Sequence, residues 1–312
     1  MKNVLTTGGT GFLGNYILEA LLQENYSITN IGRSPNVKEN IETISIDLSK
    51  EVPVLPTRTY EKIVHIAGKA HVFPKTKEDE EDFFSVNLNG TKNLLLAIDT
   101  LTEKPKFFIF ISTVAVYGLI EGTMIDENYP TNANTPYGIS KLQAEKLVIE
   151  WCKKNNVNFL ILRLPLIVGE NPPGNLGDMK KAIDKGLYFK IKNNKAQKSI
   201  VVASDVAKLI AKPITKSSIF HLTDGENPAF QEIEKAIEQR LNKKIKIVIP
   251  FNIINFLAKI GDFFTFLTKK DMPISSLRLK KLVSNLTFDS SKAKKELDWQ
   301  PTKSIDFISQ NI

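Results

Sequence analysis

The stretch KNVLTTGGTGFLGNYILEALLQEN, residues 2–25, decides the fold. Its first part, KNVLTTG, is an apolar, β-branched run that reads as a strand. Its last part, FLGNYILEALLQEN, reads as an amphipathic helix with Ile17, Leu18, Leu21 and Leu22 on one side. Between them lie Gly8, Gly9, Gly11 and Gly14. A glycine-rich turn lets backbone approach a pyrophosphate, and the following helix N-terminus offers N–H groups and a favourable dipole. Glycines serve any tight turn, but the preceding strand and the following helix make this one a phosphate cradle.

Working outward, strand-like and helix-like runs alternate. SITNIG, TISID, KIVHIAG, KFFIFIS and NFLILRLPLIVG read as strands. DFFSVNLNGTKNLLLAI and TPYGISKLQAEKLVIEWCKKN read as helices. Strands without polar alternation, separated by amphipathic helices, indicate a parallel sheet covered on both faces. A doubly wound α/β fold is expected over residues 1–165, with a return segment at about 198–223. Residues 166–197 and 224–312 are expected to form a smaller, mainly helical substrate-binding domain, with one strand in KIKIVI, laid over the carboxyl ends of the strands.

The 312 residues carry 42 Lys+Arg against 34 Asp+Glu, a net charge of +8. The lysines read as scattered, without an aromatic-interleaved stripe, so no nucleic acid partner is expected; a basic chain equally suits diphosphate ligands. Cys152 is the single cysteine, which excludes a disulfide framework and a cysteine-rich metal site, and no metal is expected. An apolar strand follows Met1–Lys2–Asn3 at once, so no signal peptide is expected and the expected location is cytoplasmic. The greasiest stretch, FNIINFLAKIGDFFTFLTKK, is interrupted by Lys259 and Asp262 and is too short to span a bilayer. Its pattern suits a helix packed on a neighbour; a helix lying on a membrane surface is the sharper alternative, and membrane contact is not the expectation.

Chemistry is carried by Tyr137 and Lys141 in YGISK, four residues apart and so on one helix face. A neighbouring ammonium and the cationic ring of an oxidised nicotinamide would both stabilise a phenolate. Tyr137 could then take a proton from a sugar hydroxyl and return one to a ketone. Asp47, ending a strand, could accept from an adenine amine, and the HIAG strand would pass Ala67 beside the pyrophosphate. His65 in that motif reads as a satisfied structural histidine. With Gly8, Gly11 and Gly14, the residues Phe12, Leu13, Leu48, Tyr137 and Lys141 complete the expected cofactor contacts.

TGGTGFLG, HIAG, NLNGTKNLL, ISTVAVYG, YGISK and LRLPLIVG, in that order and spacing, resemble the extended short-chain dehydrogenase/reductase family. The closest branch is that of nucleotide-sugar epimerases and dehydratases, especially 4-epimerases and 4-ketoreductases, and LTFDSSKAKKELDWQPTKS resembles its C-terminal region. The resemblance implies a Rossmann domain binding NAD(P) and a nucleotide-diphosphate sugar as substrate. It implies Thr113 as the catalytic Ser/Thr, Tyr137 as acid/base with Lys141 supporting it, and Asn87 as support for the active-site helix. Asn175 and Arg278 are implied near the substrate diphosphate. Many relatives dimerise through a bundle that includes the YxxxK helix, so a homodimer is expected.

Within that branch, relatives that eliminate water carry Asp-Glu after the catalytic Ser/Thr, where this chain has Val114 and Ala115. Ala115 also stands where decarboxylating relatives place a Glu, and Cys152 lies outside the segment where fucose-type epimerase-reductases use a cysteine. Redox chemistry at C4 remains. A 4-epimerase is the favoured reading, and a 4-keto-sugar reductase of the UDP-N-acetylquinovosamine type is the alternative, which HIAGKAHV resembles. A non-catalytic NAD(P)-binding regulator and a reductase of non-sugar carbonyls stay open. Where relatives that select NAD hold an acid for the ribose 2′-hydroxyl, this chain has Gly32 followed by Arg33 and Ser34, which leans the cofactor expectation to NADP.

Overall fold

The computed structural model describes residues 2–34, 40–70, 74–268, 272 and 274–312. Strand β1 (Lys2–Thr7) turns into helix α1 (Phe12–Gln23), followed by β2 (Tyr26–Gly32), β3 (Ile41–Ser45) and β4 (Lys62–His65). Helices α2 (Lys77–Phe84) and α3 (Gly90–Asp99) run on through a π-helical turn at Ser85–Asn89, and β5 (Phe107–Thr113) follows. Next come β6 (Gly122–Ile125), α4 (Pro136–Lys154), β7 (Asn158–Leu164), β8 (Leu166–Val168) and α5 (Gly174–Asp184). Then β9 (Phe189–Ile191), β10 (Ile200–Val202), α6 (Ala203–Ala211), β11 (Ser218–His221) and α7 (Phe230–Leu241) lead on. The chain closes with β12 (Ile247–Ile249), α8 (Phe251–Thr268), α9 (Ser276–Val283), β13 (Leu286–Phe288), α10 (Ser291–Leu297) and α11 (Ser304–Asn311).

Seven strands form one parallel sheet in the order β3-β2-β1-β4-β5-β7-β11. Successive side chains point to opposite faces, and both faces are buried, which is why FFIFIS has no polar alternation. Val4, Val64, Ile109 and Leu160 pack against α1 and α6 on one side. Leu5, Ile63, Phe108, Phe110 and Ile161 pack against α3 and α4 on the other. The order of strands reverses between β1 and β4, which opens a crevice at their carboxyl ends.

The doubly wound expectation holds, with differences in detail. NFLILRLPLIVG is not one strand: β7 stops at Leu164, and beyond Pro165 the chain pairs instead with β10. Proline cannot donate to a ladder, and it marks the departure. The return at 198–223 is divided, since β11 joins the sheet through β7 while β10 pairs outside it. Among the described residues beyond 225 there are two strands, β12 and β13; LTF was too short to show a period, and its pairing with β6 brings the C-terminal region beside the segment between β5 and α4. The helix read from Asp82 starts at Lys77, because Thr76 and Asp79 form a capping box in which each side chain accepts from the other's N–H.

A buried ion pair ties the middle of the sheet to α4. Arg163 on β7 donates from Nε and Nη2 to Glu145 on α4, at 3.1 and 2.8 Å, with side chains 5% and 2% exposed. Ser112 on β5 donates to the same carboxylate. The remaining Arg163 nitrogen, Nη1, donates to the Tyr117 hydroxyl at 2.8 Å, which donates in turn to His221 Nε2 at 2.7 Å. His221 Nδ1 donates to the Asp289 carbonyl at 3.1 Å. Burial pushes His221 down to about 4, so the ring is neutral and can accept as the network requires. Removing one partner of such a pair leaves the other charge buried alone. Glu145→Ala should therefore lower the free energy of urea unfolding by about 3–5 kcal/mol; a loss below about 1 kcal/mol would show that Arg163 finds water or another acceptor.

Candidate active site

The glycine turn is held open from below. Gly8 has φ +71°, and a Cβ there would stand 2.7 Å from the Ala67 backbone. A Cβ on Gly14 would stand 2.2 Å from the Gly8 carbonyl oxygen, so helix and turn touch backbone to backbone. Helix α1 begins at Gly11 with no side-chain cap and no acid in its first turn. Its first amides therefore face a crevice with no carboxylate or hydroxyl of their own to satisfy them. That is what a diphosphate needs, and the cradle fits one.

The crevice is a cavity of about 550 Å³ at the carboxyl ends of the strands. Gly8, Gly11, Phe12, Leu13 and Gly14 line one end, and Gly32, Arg33, Ser34, Asp47 and Leu48 line the flank beyond β2 and β3. Ala67 lies on the wall after β4, and Thr113, Tyr137 and Lys141 lie at the far end. Every residue expected at the cofactor thus meets in one cavity. Asp47 accepts with Oδ1 from the Ser49 hydroxyl at 2.7 Å and the Ser49 N–H at 3.0 Å, bonds that hold its carboxyl below the usual range. Asn175, exposed in the first turn of α5, and Arg278, part-buried on α9, do not line this cavity. In HIAGKAHV, His71 and Val72 lie outside the described residues.

Local chemistry explains how the far end is built. Helix α4 starts where Thr135 accepts from Gly138 N–H at 3.2 Å with Pro136 at the first helical position. This places Tyr137, Lys141 and Glu145 at successive i, i+4 steps along one face. Lys141 Nζ donates to the Ile111 carbonyl at 2.6 Å and lies 3.9 Å from the centre of the Phe110 ring. Burial pushes the lysine down to about 7, against the pull of Glu145. Tyr137 shares a hydrogen bond with the Thr113 hydroxyl, which favours the phenolate. Burial outweighs it, so the tyrosine is raised rather than lowered. With Lys141 engaged with a carbonyl the phenol is favoured, and the expected phenolate rests also on the cationic ring of an oxidised nicotinamide.

Asn87 sits in the π-helical turn. Its Oδ1 accepts from Lys69 N–H at 2.8 Å, and its Nδ2 donates to Ser140 Oγ at 3.0 Å. It thereby joins the loop after β4 to α4, the support expected of it. His65 is fully buried between two threonines. Thr91 spends its proton on the Asn87 carbonyl at 2.6 Å, so it accepts from His65 Nε2–H at 2.9 Å. Nδ1 then accepts from Thr7 at 2.6 Å, and Thr7 accepts from Ala67 N–H at 3.1 Å. Burial pushes the ring down to about 3 and favours the neutral form, and both ring nitrogens are engaged, as in a structural histidine.

Ser112, Glu145 and Arg163 were missed as supports of the site. The spacing of Glu145, four residues after Lys141 on the Tyr137 face, was the available signal. Lys141 also has a pH consequence. An unfolded lysine titrates near 10.4, so between about 7 and about 10.4 the unfolded chain binds the extra proton and native stability rises with pH. From pH 7 to 9 the cofactor-free wild type should gain more unfolding free energy than Lys141→Met, by up to about 1.4 kcal/mol per pH unit. Parallel curves would place the lysine in water.

Residues 4–220 match the NAD dependent epimerase/dehydratase family. The chain is 27% identical to an N-acetyl-alpha-D-glucosaminyl-diphospho-ditrans,octacis-undecaprenol 4-epimerase from Escherichia coli O157:H7, over 93% of this chain and 88% of that one. It is 27% identical to a UDP-glucose 4-epimerase from Vibrio cholerae, over 97% and 92%. Among solved structures, it is similar to UDP-glucose 4-epimerase with UDP-glucose from Thermotoga maritima. That likeness has a TM-score of 0.76 at 18% identity and covers 99% of this chain and 97% of that one. UDP-glucuronic acid 4-epimerase from Bacillus cereus in complex with NAD gives 0.75 at 19% identity, covering 99% and 94%. These structural likenesses establish the fold.

Proposed function

The chain belongs to the NAD-dependent epimerase/dehydratase family, and from that membership we propose that it is a 4-epimerase of a nucleotide-diphosphate sugar. Among the described residues, Asp47 is the one carboxylate that lines the cavity, and it lies at the end remote from Tyr137. That observation carries the reading. Elimination needs an acid and a base besides the tyrosine, and none flanks Thr113. The two sequence relatives named above are both described as 4-epimerases of diphosphate-linked sugars, which supports chemistry at C4.

When bound, the nicotinamide cofactor supplies the acceptor and then the donor of the C4 hydride. Tyr137 takes the proton of the C4 hydroxyl and returns it after the keto sugar has turned its other face. Thr113 holds the C4 oxygen beside the tyrosine. Lys141 fixes Tyr137 and the nicotinamide ribose, and its charge, restored when an anion or polar ligand enters, offsets the burial that keeps the phenol protonated. Residues 166–197 and 224–312 would hold the sugar nucleotide, with Asn175 and Arg278 toward its diphosphate.

A substrate deuterated at C4 tests the reaction. The label should return to C4 of the inverted product, and Tyr137→Phe should slow that transfer by about 10²–10⁴. Label retained in the reduced cofactor would identify the 4-keto-sugar reductase instead. Solvent deuterium at C5 or C6 would overturn C4 chemistry altogether.

For the cofactor, Gly32 puts no acid at the end of β2, while Arg33 and Ser34 line the same wall, and so NADP is the proposed preference. In parallel titrations, Arg33→Ala should weaken NADP about tenfold more than NAD. Equal losses would mean that the guanidinium stacks on adenine.

A further inference from the structure

Helix α8 packs on α9, as its sequence suggests, but only through a narrow stripe. Ile254, Ala258 and Gly261 form its buried stripe, one residue wide. A Cβ on Gly261 would stand 1.9 Å from the Ile274 carbonyl oxygen, so the stripe is tight against the backbone before α9. Everything else apolar on the helix points outward: Phe256, Phe263 and Phe266 are 64%, 59% and 81% exposed, with Phe251, Ile260 and Leu267 beside them. Ile247, Val248, Leu277 and Leu282 extend the patch onto β12 and α9. Single exposed apolar residues are ordinary; a contiguous face of this kind marks a docking surface.

Cations border that face: among the described residues of 243–284 there are seven Lys/Arg against one Asp. Lys243 and Lys280 are paired with Asp184 and Glu121, while Lys259 on the helix and Lys244, Lys246 and Lys281 around it are exposed. A second cavity, of about 390 Å³, opens beside the start of α8, lined by Phe251, Lys192, Lys195 and Asn193. A second copy of the chain would set the same exposed cations, Lys244, Lys246, Lys259 and Lys281, against one another, so like-charge repulsion opposes self-association here. Among the described residues no helix is long and apolar enough to cross a membrane. An apolar face with a cationic border and no span is the pattern of a helix lying in a membrane surface.

We propose that α8 docks in the plane of an anionic phospholipid bilayer, its phenylalanines in the acyl boundary and a lipid phosphate over Lys192 and Lys195. The inference stands on the exposed face and its charge, independently of the reaction at C4.

Cosedimentation of the full chain with vesicles tests it, comparing phosphatidylcholine alone with an equal mixture of phosphatidylcholine and phosphatidylglycerol. The wild type should partition at least about tenfold more onto the anionic vesicles, and added salt should weaken that binding. The triple variant Phe256→Ser, Phe263→Ser, Phe266→Ser should lose about tenfold or more. Lys192→Glu with Lys195→Glu should also weaken binding while the apolar face stays intact. Because all five side chains are exposed, unchanged melting temperatures are expected and would exclude unfolding as the cause. Wild type remaining in the supernatant would overturn the proposal. So would vesicle binding that survives the triple substitution, or a triple variant whose only change is a halved mass in light scattering, since that would make the face a contact between copies.

Discussion

The rotation of α4 about its axis decides whether this molecule has a site, and the Arg163–Glu145 pair sets it. Glu145 lies two helical turns beyond Tyr137 and one beyond Lys141, and its carboxylate is held by Arg163 from β7 and Ser112 from β5. Ser112 precedes Thr113, so the bond that anchors the helix also anchors the strand end carrying the third site hydroxyl. A charged pair this deep in a core yields little net stability over an apolar packing, because desolvation offsets much of the attraction. Its value lies in direction: hydrogen bonds fix an angle, whereas Ala144 and Val148 on the neighbouring stripe would tolerate a range of rotations.

A second set of directional bonds joins the phosphate end to the reactive end. The cradle closes backbone to backbone, Gly8 against Ala67 and Gly14 against Gly8. From Ala67 the hydrogen bonds run through Thr7, His65 and Thr91 to Asn87, and from Asn87 to Ser140 on α4. The π-helical turn at Ser85–Asn89 matters here, since an extra residue in the turn swings Asn87 toward both partners. Neutral His65 can serve as a passive connector because every proton position in the relay is determined by its neighbours.

The exposed face of α8 and the site obey opposite rules. In the site, the side chains of Lys141, Glu145 and Asn87 are buried and paired while the first amides of α1 face the crevice; on α8, apolar groups are exposed and the charges lie around them. Both departures from ordinary globular patterning carry a physical cost, and each falls where a ligand would relieve it.

The sequence by itself determined the doubly wound sheet, the phosphate cradle and the Tyr137–Lys141 face, because each is written in local periodicity: two for strands, 3.6 for helices, and glycine where backbone must meet backbone. Arg33 and Asp47 were legible too, as strand-end residues that a parallel sheet gathers at one edge, and Thr113 through the resemblance of ISTVAVYG. Tertiary structure alone decided what surrounds them. The partners of Glu145, eighteen residues away on β7, and of His65, twenty-six away on α3, follow from no period. The direction of the Tyr137 shift depended on burial, which outweighs the neighbouring Thr113 hydroxyl and which no local period states. Pairing of β13 with β6 and the exposure of α8 were likewise hidden. A hydrophobic pattern states that a face must be covered, and only the packed chain shows which faces its own elements leave open.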